Sequence, residues 1–370
     1  MRRGGIVSMK KIFKRFVAVC VICLPIACGS DLTDTQYVER AQNFLDKGEL
    51  RAASIELKNA LRQNRDNAQA RTLLGQVQLD LDNAPQAEKE LRRASELGVA
   101  DGAVLPPLAR ALLAQGKSEE LEALPVESLT KAQTAEVLAA QGQGKLSQAD
   151  VEAAATLMDQ ALSLDVESAY VRVAGARVLA AQREYALARQ ELDAVLQADP
   201  DNAGAWTLLG DVEMVERRLP QAEAAYTRAI ESREANAKDR LKRVVVRIEQ
   251  QKIAEAQQDI DVLKKQAPRN PGVTFLQGVV HLSDNRPAEA REFFELTLRT
   301  NPRHLQAMYY LSQTHLRLGN RQQAEDYARQ YHSALPLSIP GRKLMATIEP
   351  VSYTHLTLPT TLNSCRSRWS

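Results

Sequence analysis

Small and apolar residues recur along this chain at intervals of 34 residues. Alanine fills one column of this register, and proline fills another column twelve residues further on. The alanine column holds Ala53, Ala87, Ala188, Ala222, Ala256, Ala290 and Ala324, and the proline column holds Pro200, Pro268, Pro302 and Pro336. Small residues let two helices approach closely, and proline interrupts the chain before the next helix begins. The pattern therefore predicts paired α-helices, and the sequence lacks the alternating β-branched runs that predict strands.

The most regular unit of this pattern begins at Ala203. It resembles a tetratricopeptide repeat, with consensus residues at Trp206, Leu209, Gly210, Ala222, Tyr226 and Ala229. The register predicts an array over 34–350, with repeats starting near 34, 68, 102, 135, 169, 203, 237, 271 and 305 and a partial tenth from 339; a one-residue slip between 102 and 135 keeps Ala154 in the alanine column. The predicted fold is all-α, a right-handed helical solenoid of about nine helix-turn-helix repeats.

The third repeat departs most from the pattern. Pro106–Pro107 lie early in its first helix, and Leu121 occupies the alanine column, so we expect a bend or a shortened helix there. In the fourth repeat, the stretch 141–147 faintly resembles a phosphate-binding loop, but Ala139 replaces the first glycine and Leu146 replaces the serine or threonine after lysine. We interpret that stretch as a turn between two helices.

The charge of the repeat array is acidic, although the whole chain has a formal net charge of +2. Eight basic residues lie outside the array, and setting them aside leaves 40 basic against 46 acidic residues. The remaining basic residues are interspersed with acidic ones and form no stripe. Nucleic-acid binding is therefore disfavoured.

Residues 1–28 have the layout of a lipoprotein signal peptide. A basic stretch precedes an apolar run from Phe16 to Ala27, which is shorter than the roughly 20 residues that a membrane-spanning helix needs. Leu24–Ser30 resembles a bacterial lipobox, and Cys28 is the candidate for lipidation because Ala27 precedes it and Gly29 follows it. This resemblance implies an outer-membrane lipid anchor facing the periplasm. The alternative is an ordinary cleaved signal and a soluble periplasmic protein.

The composition changes abruptly at Val351. Residues 351–370 contain no acidic residue and no helical period, and 351–360 resembles the translation of a sequencing adapter. We therefore expect a non-native tail and a natural protein that continues beyond Pro350; a disordered natural tail is the alternative.

The sequence predicts no catalytic site, no metal site, no cofactor and no small-molecule substrate. Its five histidines lack the His-Glu-x-x-His spacing of a metal site. His281 and His315 are one period apart, which favours a shared structural position over metal binding.

Partner proteins are expected on the concave face of the solenoid. In this repeat geometry, positions 2, 5, 9 and 12 of each first helix face that side, where an extended peptide or a helix can bind. The predicted partner-binding residues are Gln42, Gln76, Arg110, Gln143, Arg177, Leu241, Phe275, Tyr309 and Gln313. The first five give a polar zone, whereas Leu241 and Phe275 are expected to add apolar surface in a second zone. The alternative is that all are solvated groove residues or contacts to a neighbouring helix.

Several segments resemble one particular family, the PEP-CTERM system tetratricopeptide-repeat lipoproteins. The resemblance is carried by 53–61, 68–75, 87–94 and the irregular stretch 104–117, and it covers the chain from Cys28 to about Pro350. It implies a non-enzymatic scaffold linked to exopolysaccharide production and exosortase-dependent protein sorting in Gram-negative bacteria. Two other hypotheses remain open: a repeat lipoprotein of outer-membrane biogenesis or peptidoglycan synthesis, and the docking arm of an enzyme whose catalytic domain is missing from this chain.

Overall fold

A computed structural model describes residues 32–164, 167–266, 268 and 270–348. Every regular element in these ranges is an α-helix, which confirms the predicted all-α class. None of these helices is both long enough and apolar enough to cross a membrane. The signal peptide with Cys28 and the tail from Val351 lie outside the described residues.

The helices pair into nine hairpins, and one further helix follows. The hairpins are α1 (Asp34–Leu45) with α2 (Leu50–Gln63), α3 (Ala68–Asp80) with α4 (Ala84–Glu96), α5 (Asp101–Gln115) with α6 (Ser118–Glu122), α7 (Lys131–Ser147) with α8 (Val151–Leu162), α9 (Ala169–Ala181) with α10 (Tyr185–Ala198), α11 (Ala203–Val215) with α12 (Leu219–Glu231), α13 (Ala237–Glu249) with α14 (Ile253–Gln266), α15 (Pro271–Ser283) with α16 (Pro287–Thr300), and α17 (Leu305–Arg317) with α18 (Arg321–Ala334); α19 (Ile339–Ile348) stands alone. This arrangement confirms the helical solenoid of about nine repeats.

Each hairpin turns at one residue in the left-handed backbone region. These residues are Gly48, Asp82, Gly116, Ala149, Arg183, Arg217, Gln251, Asn285 and Gly319, with φ between 56° and 77°. The next amide then reaches back across the end of the first helix, as when Arg218 N donates to Glu213 O at 2.9 Å. This bond satisfies a carbonyl that the helix end leaves free. The spacing of the column is 34 residues except for 33 between Gly116 and Ala149, which places the slip in the third repeat.

The core of the solenoid is built across the boundaries between repeats. Ala188 and Leu192 of α10 are fully buried and pack with Ala176 of α9 and with Ala205 and Leu208 of α11. Burial of each large aliphatic side chain contributes about 1.5–3 kcal/mol, and a single hairpin has no other surface on which to bury it. The alanine column is likewise buried at every position from Ala53 to Ala324. Stacking of neighbours is therefore what stabilises each unit.

The third repeat is irregular in its second helix. Pro106 and Pro107 are accommodated within α5, whereas α6 has only five residues. Leu124, Val126 and Leu129 from the following loop pack on the local core, and Gln141 Nε2 donates to Leu121 O at 3.1 Å. The helix α7 begins early, at Lys131, because Thr130 and Gln133 form a capping box. The stretch 141–147 lies inside this helix, so our interpretation of it as a turn is wrong; the turn begins at Gln148.

Buried charge networks also join adjacent repeats. Glu88 in α4 accepts hydrogen bonds from Lys117 Nζ at 2.8 Å, from Arg92 Nε at 2.9 Å and from Gln115 Nε2 at 2.7 Å. Burial alone would raise the pKa of Glu88, but these bonds outweigh it and hold the pKa at about 2. Glu223 in α12 has an equivalent network, with bonds from Arg247, Gln250 and Lys252.

The first repeats contact the sixth and seventh repeats across one superhelical turn. Arg51 forms an ion pair with Glu234 at 3.2 Å, and Lys238 forms one with Asp82 at 2.7 Å. Beside them, a cavity of about 500 Å³ lies between Leu79–Asp80 and the segment 231–234. Exposed ion pairs contribute about 0–1 kcal/mol each. The stacking of repeats therefore sets the curvature of the solenoid, and these ion pairs add a small stabilisation to it. The solenoid thus closes back on itself.

We predict that Gly210→Ala destabilises the protein, because the added Cβ would lie 2.5 Å from the ring of Tyr226. Overpacking of this kind costs about 1–3 kcal/mol, more than the helix propensity that alanine gains. Gly204→Ala in the same helix is the control, since its Cβ would meet no atom closer than 3.4 Å. Urea unfolding followed by circular dichroism measures both; equal midpoints for the two variants would contradict the proposed contact.

Candidate partner-binding groove

The first helices of the repeats form the inner wall of the solenoid. They contact one another along most of the array: α3 with α5, α5 with α7, α7 with α9, α9 with α11, α13 with α15, α15 with α17 and α17 with α19. Second helices contact the first helix of the next repeat, as α4 contacts α5 and α12 contacts α13. The first helices therefore converge, as expected for the concave side of a curved stack.

The predicted partner-binding residues differ in exposure. Gln42 is exposed and Phe275 is buried, and the half-buried members are Gln76, Arg110, Gln143, Arg177, Leu241, Tyr309 and Gln313. Within the described residues, the side chains of five of them make no hydrogen bond to protein: Gln42, Gln76, Arg110, Arg177 and Gln313.

The polar zone centres on the third to fifth repeats. Arg110 of α5, Gln143 of α7 and Arg177 of α9 occupy the ninth position of the third, fourth and fifth repeats, counted from the predicted repeat starts at 102, 135 and 169. Gln143 Nε2 donates to the hydroxyl of Tyr170 at 3.1 Å, and the guanidinium of Arg110 lies 5.3 Å from the Tyr170 ring centroid. A cation over an aromatic face at this distance is attracted by the ring. Three consecutive repeats thus place their polar side chains around one tyrosine.

Tyr170 is a groove residue that our reasoning from the sequence missed. It stands at the second position of its helix, which also faces the concave side, and an aromatic residue there was the available signal. Burial raises the pKa of its hydroxyl to about 12, although the charge of Arg110 and the bond from Gln143 act in the opposite direction. The hydroxyl therefore stays protonated near neutral pH.

The sixth repeat closes the polar zone with a satisfied carboxylate. Asp211 accepts hydrogen bonds from the Tyr226 hydroxyl at 2.8 Å and from Lys242 Nζ at 2.7 Å. Because the carboxylate of Asp211 already has these donors within the protein, it has little remaining hydrogen-bonding capacity for a ligand.

The apolar zone is smaller than the sequence predicts. Phe275 is only 8% exposed and packs against Phe294, His304 and Tyr310, with ring centroids 4.8–5.9 Å away. The prediction that Phe275 adds apolar surface is therefore wrong. Its side chain packs among neighbouring aromatic rings in the core between the eighth and ninth repeats. Leu241 also packs against this core, from a half-buried position.

Tyr309 and Gln313 remain accessible in the ninth repeat. Both line a cavity of about 380 Å³ between α17 and α19, together with Leu316 and Leu344. The ring of Tyr309 also packs against Tyr331 at 5.4 Å. The second zone is therefore a cleft at one end of the described array.

The two histidines one period apart occupy the same structural position. His281 stacks on Phe293 at 5.1 Å and His315 stacks on Tyr327 at 5.8 Å, and these partners are also 34 residues apart. Burial lowers the pKa of both histidines. The predicted shared position of the two histidines is therefore confirmed. In the ranges that the structure describes, no three metal-ligating side chains are grouped together.

Fold and groove together define a helical-repeat protein with a concave inner face. The tetratricopeptide repeat family profile matches residues 38–98, 173–237 and 241–302, just over half of the chain. The protein belongs to the tetratricopeptide repeat family. The interval between the first two matches contains the irregular third repeat. Repeats of this family bind other proteins, and their fold is typically a non-catalytic scaffold.

Many solved structures are similar to this chain, and PilF and Tom70 are two of them. PilF of Pseudomonas aeruginosa has 19% sequence identity and a TM-score of 0.49, with 59% of this chain and 99% of that chain covered. Yeast Tom70 has 14% identity and a TM-score of 0.45, with 85% of this chain and 81% of that chain covered. Among curated proteins, none matches this sequence.

We predict that Phe275→Ala lowers the free energy of unfolding by about 3–5 kcal/mol, the usual cost of deleting a buried aromatic side chain. Gln313→Ala is the control: Gln313 lies in the next repeat, is half-buried and makes no side-chain hydrogen bond among the described residues, so its loss should change the free energy of unfolding by less than about 0.5 kcal/mol. Chemical denaturation of both variants checks this. If the Phe275→Ala protein is as stable as the wild type, the Phe275 ring is not buried in the core and the prediction is contradicted.

Proposed function

We propose that this protein is a non-enzymatic scaffold that holds an extended segment or a helix of a partner protein along its inner groove. The observation that carries this proposal is the unused hydrogen-bonding capacity of the groove. Among the described residues, Gln42, Gln76, Arg110, Arg177 and Gln313 form no hydrogen bond to protein through their side chains, although all lie in one column of first helices. A ligand that supplies partners to such groups gains affinity and specificity.

The distribution of these residues favours an elongated ligand. They belong to the first, second, third, fifth and ninth repeats, so one small molecule could not reach them all. An extended peptide or a helix can contact several repeats at once. Function then depends on surface chemistry and not on a reactive site.

We further propose that the scaffold acts in the envelope of a Gram-negative bacterium, in exopolysaccharide production and exosortase-dependent sorting. Support comes from the sequence: the resemblance to the PEP-CTERM system lipoproteins over 53–61, 68–75, 87–94 and 104–117, and the lipobox-like segment before Cys28. A lipid on Cys28 would tether the array to the outer membrane, with its groove in the periplasm.

Site-specific photocross-linking tests the scaffold. With benzoylphenylalanine at Gln76 or Gln313, we expect discrete cross-linked proteins in cells of the source organism. Gln190, exposed on the outer helix α10, is the matched control and should give none. Equal products from Gln190, or none from the inner positions, would count against the groove. Mass spectrometry then identifies the captured protein. Export or polysaccharide components would support the proposed role in exopolysaccharide production and sorting, and barrel-assembly or murein components would refute that role.

The lipid anchor has its own test. Cys28→Ser should move the protein from the membrane fraction to the soluble periplasmic fraction, because the acyl chains are lost. Cys23→Ser, in the same apolar segment, should leave fractionation unchanged. If the Cys28→Ser protein still sediments with outer membranes, Cys28 is not the anchor.

A further inference from the structure

Arg110 and Arg177 differ from the other shielded arginines of this protein. The Nε atom of each is buried, and neither guanidinium has a hydrogen bond or an ion pair within the described part of the chain. Comparable arginines are paired with carboxylates. The pairs are Arg71–Glu90, Arg189–Glu213, Arg243–Asp259 and Arg247–Glu223, and Arg286 and Arg291 also lie within 4 Å of a carboxylate.

An unpaired, partly desolvated guanidinium is costly. Removing a charged donor from water without giving it an acceptor destabilises the folded state, which is why such groups are normally paired. The Tyr170 ring attracts the Arg110 guanidinium, but among the described residues the packing of the repeats gives neither arginine of this groove a hydrogen-bond acceptor. Residues kept at a cost to stability are typical of binding sites.

The surrounding groups make this a site rich in hydrogen-bond donors. Gln143 stands between the two arginines in the groove column, and its amide nitrogen already donates to the Tyr170 hydroxyl. Among the described residues, the Tyr170 hydroxyl accepts this bond and donates none. Two guanidinium groups and one phenol therefore remain free to donate, and we call Arg110, Gln143, Tyr170 and Arg177 the arginine site.

Resting on the scaffold function proposed above, we propose that the arginine site binds carboxylate side chains of an acidic segment in the partner protein. A guanidinium offers parallel N–H donors that match the two oxygens of a carboxylate. Bound there, a glutamate or aspartate would supply the ion pair that the comparable arginines among the described residues already have.

The charges bordering the arginine site favour a peptide over a uniformly charged polymer. Burial raises the pKa of the Asp80 carboxyl, and the nearby charge of Arg110 lowers it. A second carboxylate, Glu136, lies near Tyr170. Further along the groove, Asp211 is already paired with Lys242. A polyanion with a charge on every unit would face these carboxylates, whereas a peptide can place neutral residues opposite them.

A selection experiment tests the carboxylate specificity. The purified protein is used to select binders from a random dodecapeptide phage library, in parallel with Arg110→Gln/Arg177→Gln and with Arg172→Gln. Arg172 is an exposed residue of the same helix as Arg177, so its variant controls for loss of charge. We expect Asp and Glu to be enriched by the wild type and by Arg172→Gln, and not by the double variant. Replacing each Glu of a selected peptide by Gln should weaken binding at least about tenfold, as expected for a charged hydrogen bond.

The stability of the free protein gives a second readout. Because their charges are unpaired, Arg110→Met and Arg177→Met should raise the midpoint of thermal unfolding, whereas Arg189→Met, which breaks a pair, should lower it. Lower midpoints for all three would assign the arginines a structural role and overturn the proposal.

Other outcomes separate this inference from the scaffold function. If peptides are selected without acidic enrichment, or with the same enrichment by the double variant, the arginine site is not a carboxylate site while the groove still binds peptides. If oligoglucuronate displaces the selected peptides more strongly than their free acidic versions do, the site belongs to an anionic polysaccharide and the proposal fails. If no peptide is selected, the inference fails, and inner-face cross-linking decides the scaffold function independently.

Discussion

Contact between neighbouring repeats is the constraint on which the rest of this structure depends. A single hairpin cannot bury its apolar face, so each one is stabilised by the hairpin before it and the hairpin after it. The fully buried alanine column lets the paired helices approach closely, and one left-handed residue turns every hairpin at the same point. Because this geometry repeats, the first helices converge on the inner side. The groove is therefore a consequence of how the core is packed.

The third repeat shows what happens when that regularity is interrupted. Its second helix shrinks to five residues, yet the solenoid continues, because loop residues fill the core and α7 begins early. Arg110 stands on the first helix of this same repeat. The irregular stretch thus carries part of the arginine site, and regular repeats on either side hold it in register with Gln143 and Arg177.

Regular features of the fold could be predicted from the sequence, because each depends on one residue type at a fixed interval. The alanine column, the nine hairpins and the shared position of His281 and His315 are of this kind. Features that depend on side-chain direction or distant contacts could not. Phe275 has the spacing of a groove residue, but its burial depends on Phe294 and Tyr310 in other helices. The left-handed residues Arg183 and Arg217 carry no glycine or asparagine signal.

The contacts between the first and the later repeats join the two ends of one superhelical turn around the groove. Zero-length carbodiimide coupling tests this most directly, since it joins only a lysine and a carboxylate already in contact. In a dilute solution of the protein, we expect a Lys238–Asp82 bond together with the neighbour-repeat bonds Lys117–Glu88 and Lys252–Glu223. The three ion pairs have similar distances of 2.6–2.8 Å. If the two neighbour-repeat bonds form and the Lys238–Asp82 bond does not, the first repeats do not contact the later repeats in solution and the account of a closed superhelical turn is wrong.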